Sequence, residues 1–171
     1  MDKNNFLRYW HNVRQLTIKL IDEFPADSFD YRPAPEIMTV SQLFKHIIQV
    51  EGYIRDGFLT NNWQVPDAVG SNMFVKDTLR ERLILENQKT IRLLSELPEG
   101  KFLKVRETPL GNVSGEILLL VAIDEEIHHR GNLYTYLRCL GKVPPQMIQN
   151  YSEILKETDD VSENQRENRQ L

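Results

Sequence analysis

The feature that most constrains this chain is the spacing of its apolar residues. From Phe6 to Phe24 they recur three and four apart, at Phe6, Tyr9/Trp10, Val13, Leu16, Leu20/Ile21 and Phe24. That is the period of a helix with one buried face, and Pro25 ends the run. The same period returns three more times. A second helix starts at Thr39, which has Gln42 at capping-box spacing, and runs to about residue 59. A third covers about residues 77–97 and is stopped by Pro98 and Gly100. A fourth runs from Ser114, a suitable N-cap, to Leu140, with Gly141 where a C′ glycine belongs. Four long helices predict an all-α fold, an antiparallel four-helix bundle.

Between the helices, residues 27–37 carry Pro33 and Pro35 and read as an extended connector, and residues 61–72 read as a loop with Trp63, Pro66 and Gly70. Residues 101–110 are the only stretch with an extended pattern, followed by a turn at Gly111. Residues 117–123 are apolar on every side, so the fourth helix is expected to be the most buried. The bundle accounts for residues 1–147. Residues 148–171 are assigned to a short last helix, spanning about 146–157, and a polar tail whose composition predicts disorder.

The chain has 171 residues and can bury about 70% of its unfolded surface, enough for a core without staples. Its single cysteine, Cys139, excludes an intramolecular disulfide and suits a reducing, cytoplasmic setting. With no base at helical spacing, Cys139 reads as a small buried hydrophobe. The net charge of −4 falls mostly in residues 153–171, which carry six acids and three bases; the body is nearly neutral. That balance argues against a nucleic-acid partner. No run reaches the ~18 apolar residues of a membrane span, and the N-terminus lacks the apolar core of a signal peptide.

The chemistry is concentrated in IDEEIHHRGN, residues 123–132. Charged side chains inside an apolar helix are costly unless they are paired or bind metal. Glu125 and His129 are i and i+4, one above the other, and Asp124 and His128 form a second such pair rotated by about 100°. His46 lies in the second helix among Leu43, Ile47 and Val50. A histidine on one bundle helix facing a Glu/His pair on another is how bundle cores build metal sites, and three protein ligands with an open position is the layout of a catalytic zinc site. The bland alternatives are a satisfied core histidine for His46 and a surface ion pair for Glu125/His129. The HExxH signature is absent.

The segments MTVSQLFKH, EEIHHRGNLYTYLR and GKVPP resemble the DinB/YfiT-like family of bacterial four-helix metal proteins, over roughly residues 1–147. That resemblance implies three core ligands to a divalent metal. His46 matches the first. His129, directly before Arg130-Gly131, matches the third. Glu125 stands where the family usually has its second histidine, and Asn132 replaces a glutamine. A His/Glu/His set is a known zinc triad and also suits iron, manganese or nickel, zinc being the first expectation. Glu125 lowers the formal site charge, so a bound water or thiol would be less acidified than in an all-histidine site.

The other polar residues receive secondary roles. His128 reads as a packing neighbour. Asp124, Glu126 or Gln42 are candidate acceptors for a ligand imidazole's second nitrogen. Arg130 is expected to anchor a carboxylate inside the bundle, and His11 to be a surface or interface residue. Tyr53 and Trp63 are candidates for the pocket mouth.

The resemblance implies a metal-dependent transferase that adds a low-molecular-weight thiol to an electrophilic small molecule. The thiol must come from outside, since the chain offers no suitable cysteine. A hydrolase with Glu126 or Asp124 as base is a variant, and a metal-stabilised stress-response or binding bundle without turnover is the alternative from another class. Phe6, Tyr9 and Trp10 suggest a homodimer interface on the first helix.

Overall fold

The structure, a computed structural model, describes residues 2–66 and 75–149. The helices are α1 (Lys3–Glu23), α2 (Val40–Thr60), α3 (Lys76–Ser95), the single turn α4 (Glu99–Phe102) and α5 (Gly115–Cys139). A hairpin of β1 (Val105–Thr108) and β2 (Gly111–Ser114) precedes α5. The predicted caps are present. Thr39 Oγ1 accepts from Gln42 N while Gln42 Oε1 accepts from Thr39 N, and Ser114 Oγ accepts from Ile117 N. The expected extended stretch is β1, paired antiparallel with β2 from Val105↔Ser114 to Thr108↔Gly111. The turn itself falls on Pro109–Leu110, and Gly111 opens β2 at φ 101°, a value that favours glycine.

Helix α1 packs on α3 and α5, and α2 packs on the same two, so α1 and α2 stand diagonally. Helices α1 and α3 are antiparallel, since Lys76 at the start of α3 donates to the carbonyls of Asp22 and Phe24 at the end of α1. Helices α2 and α5 are antiparallel too, with Phe58 against Gly115 and the Tyr136 hydroxyl on the Met38 carbonyl. Helices α2 and α3 run parallel, both starting in one apolar cluster and ending in the other. The chain therefore has to return along the bundle after α2. Asn61 at φ 58° reverses it, and the loop runs back over two glycines of α2. A Cβ on Gly57 would stand 2.3 Å from the Trp63 ring, and one on Gly52 2.6 Å from Pro66. Only glycine admits that approach.

The core is two clusters, one around Phe24, Phe44, Leu83 and Leu137, the other around Phe6, Ile54, Phe102 and Leu119. The segments that separate them carry Arg14 and Thr17 on α1, Glu51 on α2, Asn87 and Thr90 on α3, and Glu126, His129 and Arg130 on α5, all buried. A polar layer thus crosses the middle of the bundle.

Three sequence expectations are corrected here. Helix α5 is not buried on every side, because Ile117 and Ile127 lie on a solvent-facing stripe with Asp124, His128 and Thr135. Cys139 is exposed, at the end of that stripe. Phe6 and Trp10 are core residues, 0% and 3% exposed, so they are not available to a second copy. The predicted helix beyond residue 149 and the polar tail lie outside the described residues. No described helix is long and apolar enough to cross a membrane.

Candidate metal centre

His46 and the pair Glu125/His129 meet where α2 faces α5, at the edge of the polar layer. One ligand atom from each lies within 4.8 Å of the others. Glu125 Oε2 is 3.3 Å from His129 Nε2 and 3.9 Å from His46 Nε2. Ligands of a tetrahedral zinc with bonds near 2.0–2.1 Å stand about 3.3 Å apart, so the triad needs little adjustment to hold such an ion. The imidazoles are nearly perpendicular, at 88°, with centroids 4.6 Å apart. The pair sits at i, i+4 on α5, as the helical spacing predicts.

The electrostatics favour the ligand form of His129. Its side chain is 9% exposed. Burial, and then the neighbouring His46, hold its pKa below the ordinary imidazole value, while Glu125 opposes them. A depressed pKa keeps the imidazole neutral, which metal binding requires. Its Nδ1 is buried and has no hydrogen-bond partner among the described residues. The side chains of His46 and Glu125 are 37% and 45% exposed, so the site has an open side. Beside His46 lies a cavity of about 160 Å³ lined by Gln49, Val50, Tyr53 and Val65. Of the two aromatics expected at the pocket mouth, Tyr53 lines this cavity, whereas Trp63 packs edge-on behind it at 5.4 Å between centroids and does not line it.

The proposed supporting residues sort differently. Gln42 is committed to the α2 capping box. Asp124 and His128 are exposed, though the His128 ring contacts that of His129 at 4.9 Å. Glu126 points into the bundle, where Arg14 Nη2 donates to its Oε2 at 2.8 Å and Thr17 Oγ1 donates to its Oε1 at 2.5 Å. Arg130 anchors no carboxylate among the described residues; its Nη1 donates to the Val13 carbonyl at 2.9 Å. The carboxylate anchor is Arg14, which the sequence reading missed. It is fully buried, and its Nη2 also lies 2.7 Å from Glu51 Oε2. Thr90 Oγ1 completes the group by donating to Glu51 Oε1 at 2.6 Å. One signal was available: Arg14 interrupts the apolar face of α1 next to Val13. His11 is half-buried between α1 and α3, with Nδ1 3.4 Å from Asn87 Nδ2, and burial lowers its pKa.

Comparison with known proteins places the fold in a known family. The sequence model of the DinB family matches residues 1–165. An uncharacterised Bacillus subtilis protein, YjoA, is 28% identical over 149 residues, 81% of this chain and 90% of its own length. The crystal structure of YjoA, described as DinB-like, superposes with a TM-score of 0.70 at 24% identity, covering 84% of this chain and 96% of that one. A DinB-like protein from Bacillus cereus ATCC 10987 superposes with a TM-score of 0.72 at 22% identity, over 84% and 95% of the two chains.

Proposed function

The chain belongs to the DinB family, and from that premise we propose that it binds one divalent metal ion through His46, Glu125 and His129 and acts as a metal-dependent transferase, joining a low-molecular-weight thiol to an electrophilic small molecule. The observation that carries the proposal is the convergence of two imidazoles and a carboxylate around an open position beside a small cavity. Zinc is the first expectation for such a donor set, with nickel, iron and manganese as the other candidates. When bound, the metal supplies Lewis acidity toward a thiol or water at its open position.

This chain's own residues do the rest. Neutral His129 has one unprotonated ring nitrogen to offer a metal, and Glu125 brings a negative charge that holds a cation. Tyr53, Val50 and Val65 give the cavity beside His46 apolar walls suited to the body of a small electrophile. The hydrolase variant is less favoured, because Glu126 is held by Arg14 and Thr17 and Asp124 faces solvent. Reaction in the reducing cytoplasm suits a thiol co-substrate, and homodimerisation is compatible with either reading.

The test is elemental analysis of protein purified without added metal, followed by a thiol-and-electrophile assay. The expected result is about one divalent ion per chain and thiol-dependent consumption of electrophile, both lost in His129→Ala. Full occupancy with no turnover across a thiol panel would make the protein a metal-stabilised binding bundle instead. Unchanged occupancy in Glu125→Ala would remove Glu125 from the ligand set.

A further inference from the structure

A larger cavity lies away from the triad. It measures about 550 Å³ and sits between α5 and the segment that follows it. That is within the range of pockets that hold small organic ligands, whereas the cavity beside His46 is below it. Ile127, Val143, Pro144 and Met147 supply apolar walls. Arg130, Tyr134 and Arg138, at i, i+4 and i+8 on α5, supply the polar floor. No carboxylate lines it among the described residues, and neither does any residue of the triad.

Three observations give these residues a shared target. Arg130 is only 4% exposed, with Nη1 committed to the Val13 carbonyl, so its charge is fixed in place. Arg138 lies over the Tyr134 ring, its Cζ 6.0 Å from the centroid. The Tyr134 hydroxyl is buried and has no hydrogen-bond partner among the described residues. A buried hydroxyl without a partner is costly, and an arginine fork matches a carboxylate in shape and charge. A ligand carboxylate accepting from the Tyr134 hydroxyl and a guanidinium would satisfy both, and its apolar body would cover the walls.

We propose that this cavity binds a small amphipathic carboxylate, an acid with an apolar chain or ring, at a site separate from the metal centre. It is independent of the metal reading and is tested without measuring turnover. The probe is decanoate, titrated calorimetrically into the full-length protein, with inorganic phosphate and decanol as charge-only and chain-only controls. Decanoate is expected to bind saturably with one site per chain, and both controls at least ~10-fold more weakly. Tyr134→Phe removes one oxygen and keeps the packing, and Arg138→Gln changes an exposed residue. Each is expected to weaken decanoate by about 10-fold or more, the size of a hydrogen bond to a charged group. His129→Ala should leave it unchanged. Absence of saturable binding, equal binding of phosphate or decanol, or indifference to both Tyr134→Phe and Arg138→Gln would each overturn the proposal.

Discussion

Two polar clusters occupy the same layer of this bundle and share helices α2 and α5, and they are built on opposite terms. In the Arg14 cluster every charge is inside. Glu51 and Glu126 share one guanidinium, and Thr17 and Thr90 take the carboxylate oxygens that face away from it. In the His46/Glu125/His129 triad two members reach solvent, and the buried one keeps a nitrogen without a partner among the described residues. The first cluster is closed to solvent, its charges paired inside the bundle, although Arg14 Nη1 has no hydrogen-bond partner among the described residues. The second is incomplete in the way a cation completes. A buried ion group and a binding site can therefore look alike in composition and differ in whether their charged atoms can be reached from solvent.

The sharpest way to break the comparison is to remove one member from each cluster. Arg14→Met strands two buried carboxylates and is expected to destabilise the metal-free protein by about 3–5 kcal/mol, read from urea unfolding. Replacing the whole group, Arg14→Met with Glu51→Leu and Glu126→Leu, should recover most of that loss, because apolar residues of similar volume need no partners. His46→Ala acts on a half-exposed side chain and is expected to change metal-free stability by no more than ~0.5 kcal/mol. If His46→Ala were as damaging as Arg14→Met, the triad would be structural and the contrast would fail.

Metal should separate the clusters from the other side. Zn²⁺ at a hundredfold over its dissociation constant should stabilise the native protein by about 2.7 kcal/mol, a gain that His129→Ala should abolish. Glu125→Gln keeps the shape and removes the charge. It is expected to weaken Zn²⁺ binding by at least ~10-fold while leaving metal-free unfolding unchanged. Equal stabilisation of wild type and Glu125→Gln would show that the carboxylate belongs to a surface ion pair with His129.

The two clusters also differ in how far the sequence revealed them. The triad was legible because both halves carry local signatures: Glu125 and His129 share a face by spacing, and His46 interrupts an apolar face of α2. The helices were legible for the same reason, period and caps being properties of neighbours in the chain. The Arg14 cluster was not, since it joins residues 37 and 112 positions apart and no spacing rule connects them. Glu126 was accordingly offered as a base or a support for the metal, although its partner was on α1. Exposure on α5 failed similarly. A run apolar on every side suggests a central helix, but α5 packs chiefly on α2 and α1 and leaves Ile117 and Ile127 on its outer side. Long-range packing decides such cases, and a single sequence carries only its local part.

The smallest expected effect concerns the acidic excess in the closed cluster. Burial pushes the Glu51 carboxyl above its ordinary value, with Glu126 adding to the push and Arg14, the Thr90 hydroxyl and Arg55 opposing it. A carboxyl whose pKa is raised on folding binds its proton more tightly in the native state. Its contribution to stability is then fully present below the unfolded value of about 4.5 and is lost as pH rises through the folded value. Glu51→Gln carries no such proton, yet can still accept from Thr90 and leaves Arg14 paired with Glu126 alone. The difference in unfolding free energy between wild type and Glu51→Gln should therefore shift against wild type as pH is raised from 4.5 toward 7, with the variant at least as stable at neutral pH. A difference moving the other way would mean that Arg14 outweighs burial and that the second carboxylate is a favourable partner rather than a tolerated one.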